Sequence, residues 1–272
     1  MSNLLPNHYI VPDWPAPANV RAVATTRLSG VSEGGANGDG YASFNLATHV
    51  GDNPNAVATN RQRLKTELAL SAEPQWLEQV HGIKVVDAVA DGLMRTADGA
   101  TTTQRGLPCA VLTADCLPIL LCDRAGTQVA AVHAGWRSLA AGIVPRALAR
   151  FNAPPEQLMA WLGPAISAQH FEVGVDVLEA FFDTAGSVAH SDAIAAAMRP
   201  GSRPMHFYAD LPQLARAALS ENGVTSVYCG AAGNMGVSND SMCTYANTRF
   251  YSYRRDGQAS GRMASLVWLT DS

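Results

Sequence analysis

The sequence predicts an α/β fold, a layered arrangement with a mixed β-sheet flanked by helices, built as a single domain over residues 1–272. Three observations lead there. Short apolar runs such as Cys109 to Thr113, Ile119 to Cys122 and Val129 to His133 read as strands buried on both faces. Stripes at helical spacing alternate with those runs, the pattern of α/β layers. No internal repeat or linker divides the chain, and hydrophobic residues make up 47% of it, enough for a sizeable core.

Taken in order, Val20 to Thr25 reads as the first strand. Ser29 to Gly40, rich in Gly with Ser and Asn, reads as a long mobile loop of the kind that borders sites. Asn53-Pro54-Asn55 starts a helix whose face carries Val57, Leu64 and Leu68. Gln75 to Val80 and Lys84 to Ala88 are expected strands around His81-Gly82. The runs at 109–113 and 119–122 are expected to pair, with Ala114-Asp115-Cys116-Leu117-Pro118 as their link, and this pairing makes the sheet mixed. Val129 to His133 leads through Gly135 into a helix opening near Ser138, with Leu139, Ile143, Val144, Leu148 and Phe151 as its stripe. Trp161 to Ile166 is the next strand. Val175, Leu178 and Phe182 mark a helix, and Leu211, Leu214, Ala215 and Ala218 mark another, stopped by Gly223. Val224 to Cys229 and Ala264 to Leu269 close the chain as strands.

Composition narrows the function. Net charge is -4 and charged residues are only 15%, so a broad basic surface for nucleic acid is not expected. Residues 1–12 lack a basic start followed by an apolar run, and no later stretch has the length of a membrane span, so no membrane partner and a cytoplasmic location are expected. Five cysteines are an odd number in a chain long enough to fold without disulfides, which predicts reduced thiols.

Three of the turns carry metal-capable side chains. His81 stands before Gly82, Cys116 two residues before Pro118, and His133 two residues before Gly135, each at the end of an expected strand. Two imidazoles and a thiolate form a zinc site with one position left open, the pattern of catalytic zinc. His8, His170, His190 and His206 lack this setting, and Cys109, Cys122 and Cys229 lie in apolar runs as small hydrophobes.

The chain resembles the laccase-domain, or polyphenol oxidase-like, proteins that were reinterpreted as zinc-dependent purine nucleoside phosphorylases. The resemblance rests on Ser43-Phe44-Asn45-Leu46, Asn60-Arg61, Gln79-Val80-His81-Gly82, Thr113-Ala114-Asp115-Cys116, Val132-His133-Ala134-Gly135-Trp136, Gly163-Pro164-Ala165-Ile166 and Ser252-Tyr253-Arg254-Arg255-Asp256-Gly257 with Gly261-Arg262. It implies that His81, Cys116 and His133 ligate zinc, with copper as the alternative metal of the older oxidase reading. It further implies phosphorolysis of adenosine, inosine and methylthioadenosine, so that the partners are a purine nucleoside and phosphate, with adenosine deamination as a companion reaction. Phe171 stands where the family often has Tyr, and Ser260 where Thr is common.

Chemistry then assigns expected roles. Deamination needs hydroxide at C6 of the purine, which bound zinc supplies near neutral pH. No Glu follows either histidine in the His-x-Glu arrangement of other zinc deaminases, so Asp115 is the expected proton carrier or acceptor for a ligand histidine. Phosphate beside C1' calls for guanidinium groups, and Arg61, Arg137 and Arg254 are the candidates. Asn45 and Gln79 are placed at purine edges, with Trp136 or Phe44 stacking on the base. A cysteine hydrolase using Cys116 and His133 without metal is the competing enzyme class. Copper oxidation of phenols needs more histidines than the sequence places well.

Overall fold

The computed structural model describes residues 6–34, 38, 40–231 and 239–271. The chain opens with β1 (Tyr9–Ile10) and β2 (Val20–Thr25). Asn53 then caps α1 (Pro54–Glu67) by accepting a bond from the Asn55 amide, and Pro54 takes a first-turn position where a missing N–H is harmless. Next come β3 (Leu77–Glu78), β4 (Val85–Asp87), β5 (Arg95–Thr96), β6 (Gly99–Thr102), β7 (Cys109–Thr113), β8 (Leu117–Asp123) and β9 (Val129–Ala134). Helices α2 (Trp136–Ala140) and α3 (Ile143–Leu148) lead to β10 (Leu158–Leu162). Then follow β11 (Glu172–Gly174), α4 (Val175–Phe182), α5 (Val188–Ala196), β12 (Met198–Pro200) and β13 (His206–Ala209). The chain closes with α6 (Leu211–Glu221), β14 (Ser226–Cys229), α7 (Tyr253–Asp256) and β15 (Met263–Leu269).

Two sheets make the body. One has the order β1-β2-β15-β7 and the other β14-β10-β8-β9-β6-β4. The second is mixed, because β10 runs parallel to β14 and β4 parallel to β6, while β8 pairs antiparallel with both β9 and β10. The sheets face each other across Val111, Leu120, Cys122, Ala131, Met159, Trp161 and Val267. On the far side of the six-stranded sheet, Leu117, Ile119, Leu121 and Val132 pack on Leu139, Ile143, Val177, Phe181, Ile194 and Leu214 of the helices. The far side of the four-stranded sheet packs on α1 through Leu112, Leu266, Leu64 and Phe44. Each central strand is therefore covered on both faces, and this is why its sequence is an unbroken apolar run.

The α/β layering expected from the sequence is present, with four differences. The runs 109–113 and 119–122 do not pair: β7 joins β15 and β8 joins β9 and β10, so the link at Ala114 to Cys116 crosses from one sheet to the other. The helix expected from Ser138 onward is two short helices, because the chain turns at Gly142 with φ 90°, a left-handed value that breaks the helical ladder. Of Gln75 to Val80 only Leu77–Glu78 is strand, and the strand expected over Trp161 to Ile166 is instead Leu158–Leu162. Part of the expected loop Ser29 to Gly40, residues 35–37 and 39, lies outside the described residues. No helix among the described residues is long and apolar enough to cross a membrane.

Leu120 is fully buried between the two sheets. Leu120→Ala is expected to cost about 2–5 kcal/mol of stability, because the cavity it leaves adds to the lost burial. A lower denaturant midpoint with an unchanged slope would record that loss.

Candidate metal centre

Strand register assembles the centre. In the six-stranded sheet β9 lies between β6 and β8. Gly99 pairs with Val132, which brings Asp98 beside His133, and the His133 amide donates to the Asp98 carbonyl at 2.7 Å. Leu117 pairs with Ala134, so Cys116 arrives next to Gly135. His81 enters from the turn after β3. The ligand-capable atoms of His81, Cys116 and His133 all lie within 4.8 Å of one another, and among the described residues they are the group of three or more such side chains that could hold a metal ion. The Cys116 Sγ is 3.8 Å from His81 Nε2, and the two imidazole rings meet edge to face with centroids 4.8 Å apart. Bonds of about 2.0–2.3 Å to a shared tetrahedral ion set donors a little under 4 Å apart, so this spacing fits a metal after small side-chain adjustment.

Asp98 organises the group, and the sequence reading missed it. Its carboxylate is wholly buried and accepts from three consecutive amides, Val80 at 3.2 Å, His81 at 2.9 Å and Gly82 at 2.7 Å. The same carboxylate lies 2.9 Å from His133 Nδ1. With Nδ1 donating to Asp98, Nε2 is the ring nitrogen left for the centre, which is how metal-bound imidazoles are usually oriented. The turn it grips is held at a positive φ, 57° at His81, a conformation that costs a non-glycine residue of order 1 kcal/mol and that the three amide bonds offset.

Electrostatics favour a charged sulfur. Burial pushes the Cys116 thiol up, but the facing His133 and then His81 outweigh it and bring it down to about 6. Burial pushes His133 down, and the Cys116 thiolate with Asp98 reverses this and raises it to about 9. Burial likewise raises Asp98, whereas His133 and the turn amides hold it below the usual carboxylate range. Gly135 keeps the centre open: a Cβ there would sit 3.0 Å from Cys116 Sγ and 3.1 Å from His81 Cδ2. His81 is the exposed member and His133 the buried one, so the group opens to solvent on the His81 side.

The other expected site residues are placed as follows. Asp115, at φ 89°, accepts from Thr244 Oγ1 at 2.6 Å, Ser252 Oγ at 3.0 Å and the Arg254 amide at 2.6 Å. The acceptor for the ligand histidine is therefore Asp98 and not Asp115, whose carboxylate ties the Cys116 turn to the C-terminal segment. The Asn45 amide is fully buried and bonds Ala47, Asp52 and the Arg262 amide. Gln79 makes a two-way bridge to the Leu112 backbone at 2.8 and 2.7 Å. Arg61 donates from Nε to the Leu46 carbonyl at 2.9 Å and stacks 4.1 Å over Trp76. Arg137 is exposed and lies 4.3 Å over the ring of Trp136. Arg254 reaches the Glu172 carbonyl at 3.3 Å and lies over Phe171. Phe44 is wholly buried. His81, Cys116 and His133 thus come together, while Asn45, Gln79 and Asp115 have their polar atoms committed to neighbouring protein groups.

Similarity to known proteins runs along nearly the whole chain. The family model described as multi-copper polyphenol oxidoreductase laccase matches residues 21–270. A purine nucleoside phosphorylase of Pseudomonas aeruginosa is 46% identical over 97% of this chain and 100% of its own length. The purine nucleoside phosphorylase YfiH of Escherichia coli is 44% identical, covering 96% of this chain and 98% of its own. Among solved structures, a Neisseria meningitidis protein superposes with a TM-score of 0.85 at 46% identity, covering 97% of this chain and 100% of that one. YlmD from Geobacillus stearothermophilus gives 0.84 at 27% identity, with 97% of each chain covered.

Two substitutions probe the centre. Asp98→Asn keeps the size but replaces an acceptor oxygen with a donor. It is expected to weaken metal binding by about 10–100-fold, read by competition with a chromophoric chelator. Gly135→Ala places a methyl group against the sulfur, and the expected result is a comparable loss of metal affinity with an unchanged far-ultraviolet circular dichroism spectrum.

Proposed function

Because this chain belongs to the multi-copper polyphenol oxidoreductase laccase family, whose relatives named above are purine nucleoside phosphorylases, we propose that it is a purine nucleoside phosphorylase working at a zinc ion held by His81, Cys116 and His133. Its substrates are adenosine, inosine and methylthioadenosine with phosphate, and adenosine deamination is the companion reaction. The observation that carries this reading is the group of three soft and borderline donors, backed by Asp98 and open on the His81 side. A thiolate and two imidazoles suit zinc, and three protein ligands with a free position suit catalysis rather than structure. The copper oxidase reading has less support, since among the described residues only this one group of donors gathers.

Bound there, zinc supplies a Lewis acid and a source of hydroxide near neutral pH. The rest is work for the chain. Asp98 fixes the His133 tautomer and the His81 turn, so the open face keeps its direction. In phosphorolysis a phosphate oxygen bonds to C1' of the ribose as the C1'–N9 bond breaks. The electron pair leaves with the purine, which takes up a proton, and ribose 1-phosphate remains. In deamination water adds at C6, one of its protons passes to N1 and the other to the amino group, and the C6–N bond breaks to release ammonia and leave inosine. Arg61, Arg137 and Arg254 are the cations proposed for phosphate, and Arg61 fits best, because it is half-buried where the other two are exposed and its Nη1 and Nη2 bond to no group among the described residues. Asn45, Gln79 and Asp115 serve by holding backbone, since their polar atoms are already engaged.

A second reading has a specific observation behind it. Asp98, His133 and Cys116 form an acid–imidazole–thiol series, which would serve a metal-free cysteine hydrolase. That enzyme has no use for His81.

Metal-analysed protein incubated with adenosine, with and without phosphate, separates these readings. Phosphate-dependent adenine and phosphate-independent inosine are the expected products. Chelation should abolish both, and His81→Ala should lower turnover by at least about 100-fold. Full activity after chelation, or in His81→Ala, would favour the hydrolase, and absence of both purine products would remove the phosphorylase reading.

A further inference from the structure

We infer that Arg262, together with Arg61 and His49, forms the oxyanion pocket that receives phosphate beside the Cys116 turn. This rests on the phosphorylase reading for its substrate but on separate observations for its place. The sequence reading weighed neither Arg262 nor His49 as a site residue.

Three backbone links bring the two arginines together. Strand β15 pairs Met263 with Thr113, so Arg262 falls opposite Ala114, one step from Asp115 and Cys116. The Leu46 amide donates to the Arg262 carbonyl at 3.4 Å, and the Leu46 carbonyl accepts from Arg61 Nε at 2.9 Å. The Arg262 amide donates at 3.0 Å to the buried side chain of Asn45. Leu46 thus lies between the two guanidinium-bearing residues, and His49 follows three positions later on the same segment.

Both guanidinium groups are posed by backbone carbonyls and form no ion pair among the described residues. Arg262 Nη1 donates to the Ser260 carbonyl at 2.5 Å and the Gly261 carbonyl at 3.0 Å, and the group lies 5.9 Å from the Tyr253 ring centre. Arg262 Nε and Nη2, like Arg61 Nη1 and Nη2, meet no acceptor among the described residues, and neither arginine forms an ion pair there. The carboxylate that bears on Arg61, Glu73, is 3.7 Å from Lys65 Nζ and accepts from Trp76 Nε1 at 2.7 Å. Burial lowers both arginines, Arg61 to about 10. Burial, then Arg262 and then Arg61, lowers His49, which marks all three as neighbours. Arg262 also lies in the field of Cys116 and Asp115, in keeping with its place opposite Ala114, so the pocket adjoins the metal centre. Two partly buried cations that form no ion pair among the described residues are costly to hold near each other unless a ligand supplies the charge. Phosphate does so through paired N–H···O bonds to guanidinium, with neutral His49 free to donate a third.

The test uses the full chain loaded with zinc. Isothermal titration of inorganic phosphate should show binding that weakens by about 10–100-fold in Arg262→Ala and in Arg61→Ala. In phosphorolysis the KM for phosphate should rise by the same factor while the KM for the nucleoside stays within about twofold. Arg262→Lys should recover part of the loss, and His49→Gln should raise the phosphate KM by less than Arg262→Ala. If the wild-type chain binds phosphate and the arginine variants lose it, the pocket stands even where no ribose 1-phosphate forms and the phosphorylase reading has failed. Phosphate affinity unchanged in Arg262→Ala and Arg262→Lys, or no phosphate binding by the wild-type chain, would overturn the inference.

Discussion

A single buried carboxylate sets the geometry of this protein's centre. Asp98 binds three successive amides of the Val80–Gly82 turn and the ring of His133, so one side chain fixes both where His81 stands and which nitrogen His133 presents. A buried charge is tolerated only when its acceptor sites are filled, and here the fillers are the parts of the site that must be positioned. Stability and site geometry are therefore one problem: the contacts that make Asp98 affordable are the contacts that hold the ligands.

The layers around it explain why the donors converge. The six-stranded sheet is covered on one face by helices and on the other by the four-stranded sheet, and β6, β9 and β8 run side by side at its middle. Asp98 and Cys116 stand just before β6 and β8 begin, and His133 stands one residue before β9 ends. Cys116 also lies where the chain passes from one sheet to the other, a crossing held by Asp115 through Thr244, Ser252 and the Arg254 amide. Two turns with left-handed backbone, at His81 and Asp115, are each secured by carboxylate bonds to distant groups or from them.

Much of this was legible in the sequence because burial on both faces writes itself as uninterrupted apolar residues. The strands at 20–25, 109–113 and 129–134 were visible for that reason, and the helix after Asn53 through its cap. The three donors were visible because each adjoins a turn. What stayed hidden depends on register between distant segments. Asp98 lies between Ala97 and Gly99 in no pattern that marks a site, and its meaning comes from pairing with a strand more than thirty residues away. The parting of β7 from β8 was hidden likewise, since a short link between two apolar runs looks the same whether they pair or enter separate sheets. The bonds that Asn45 and Gln79 make to neighbouring protein groups were hidden too, because an amide that bonds backbone and one that bonds a base have the same letter.

The pull exerted on the Cys116 sulfur has a further result. A sulfur already ionised near neutrality and partly open to solvent is the form that peroxide attacks first. An ion seated there would shield that sulfur, and without one the same polarisation that suits Cys116 to a metal leaves it open to oxidation.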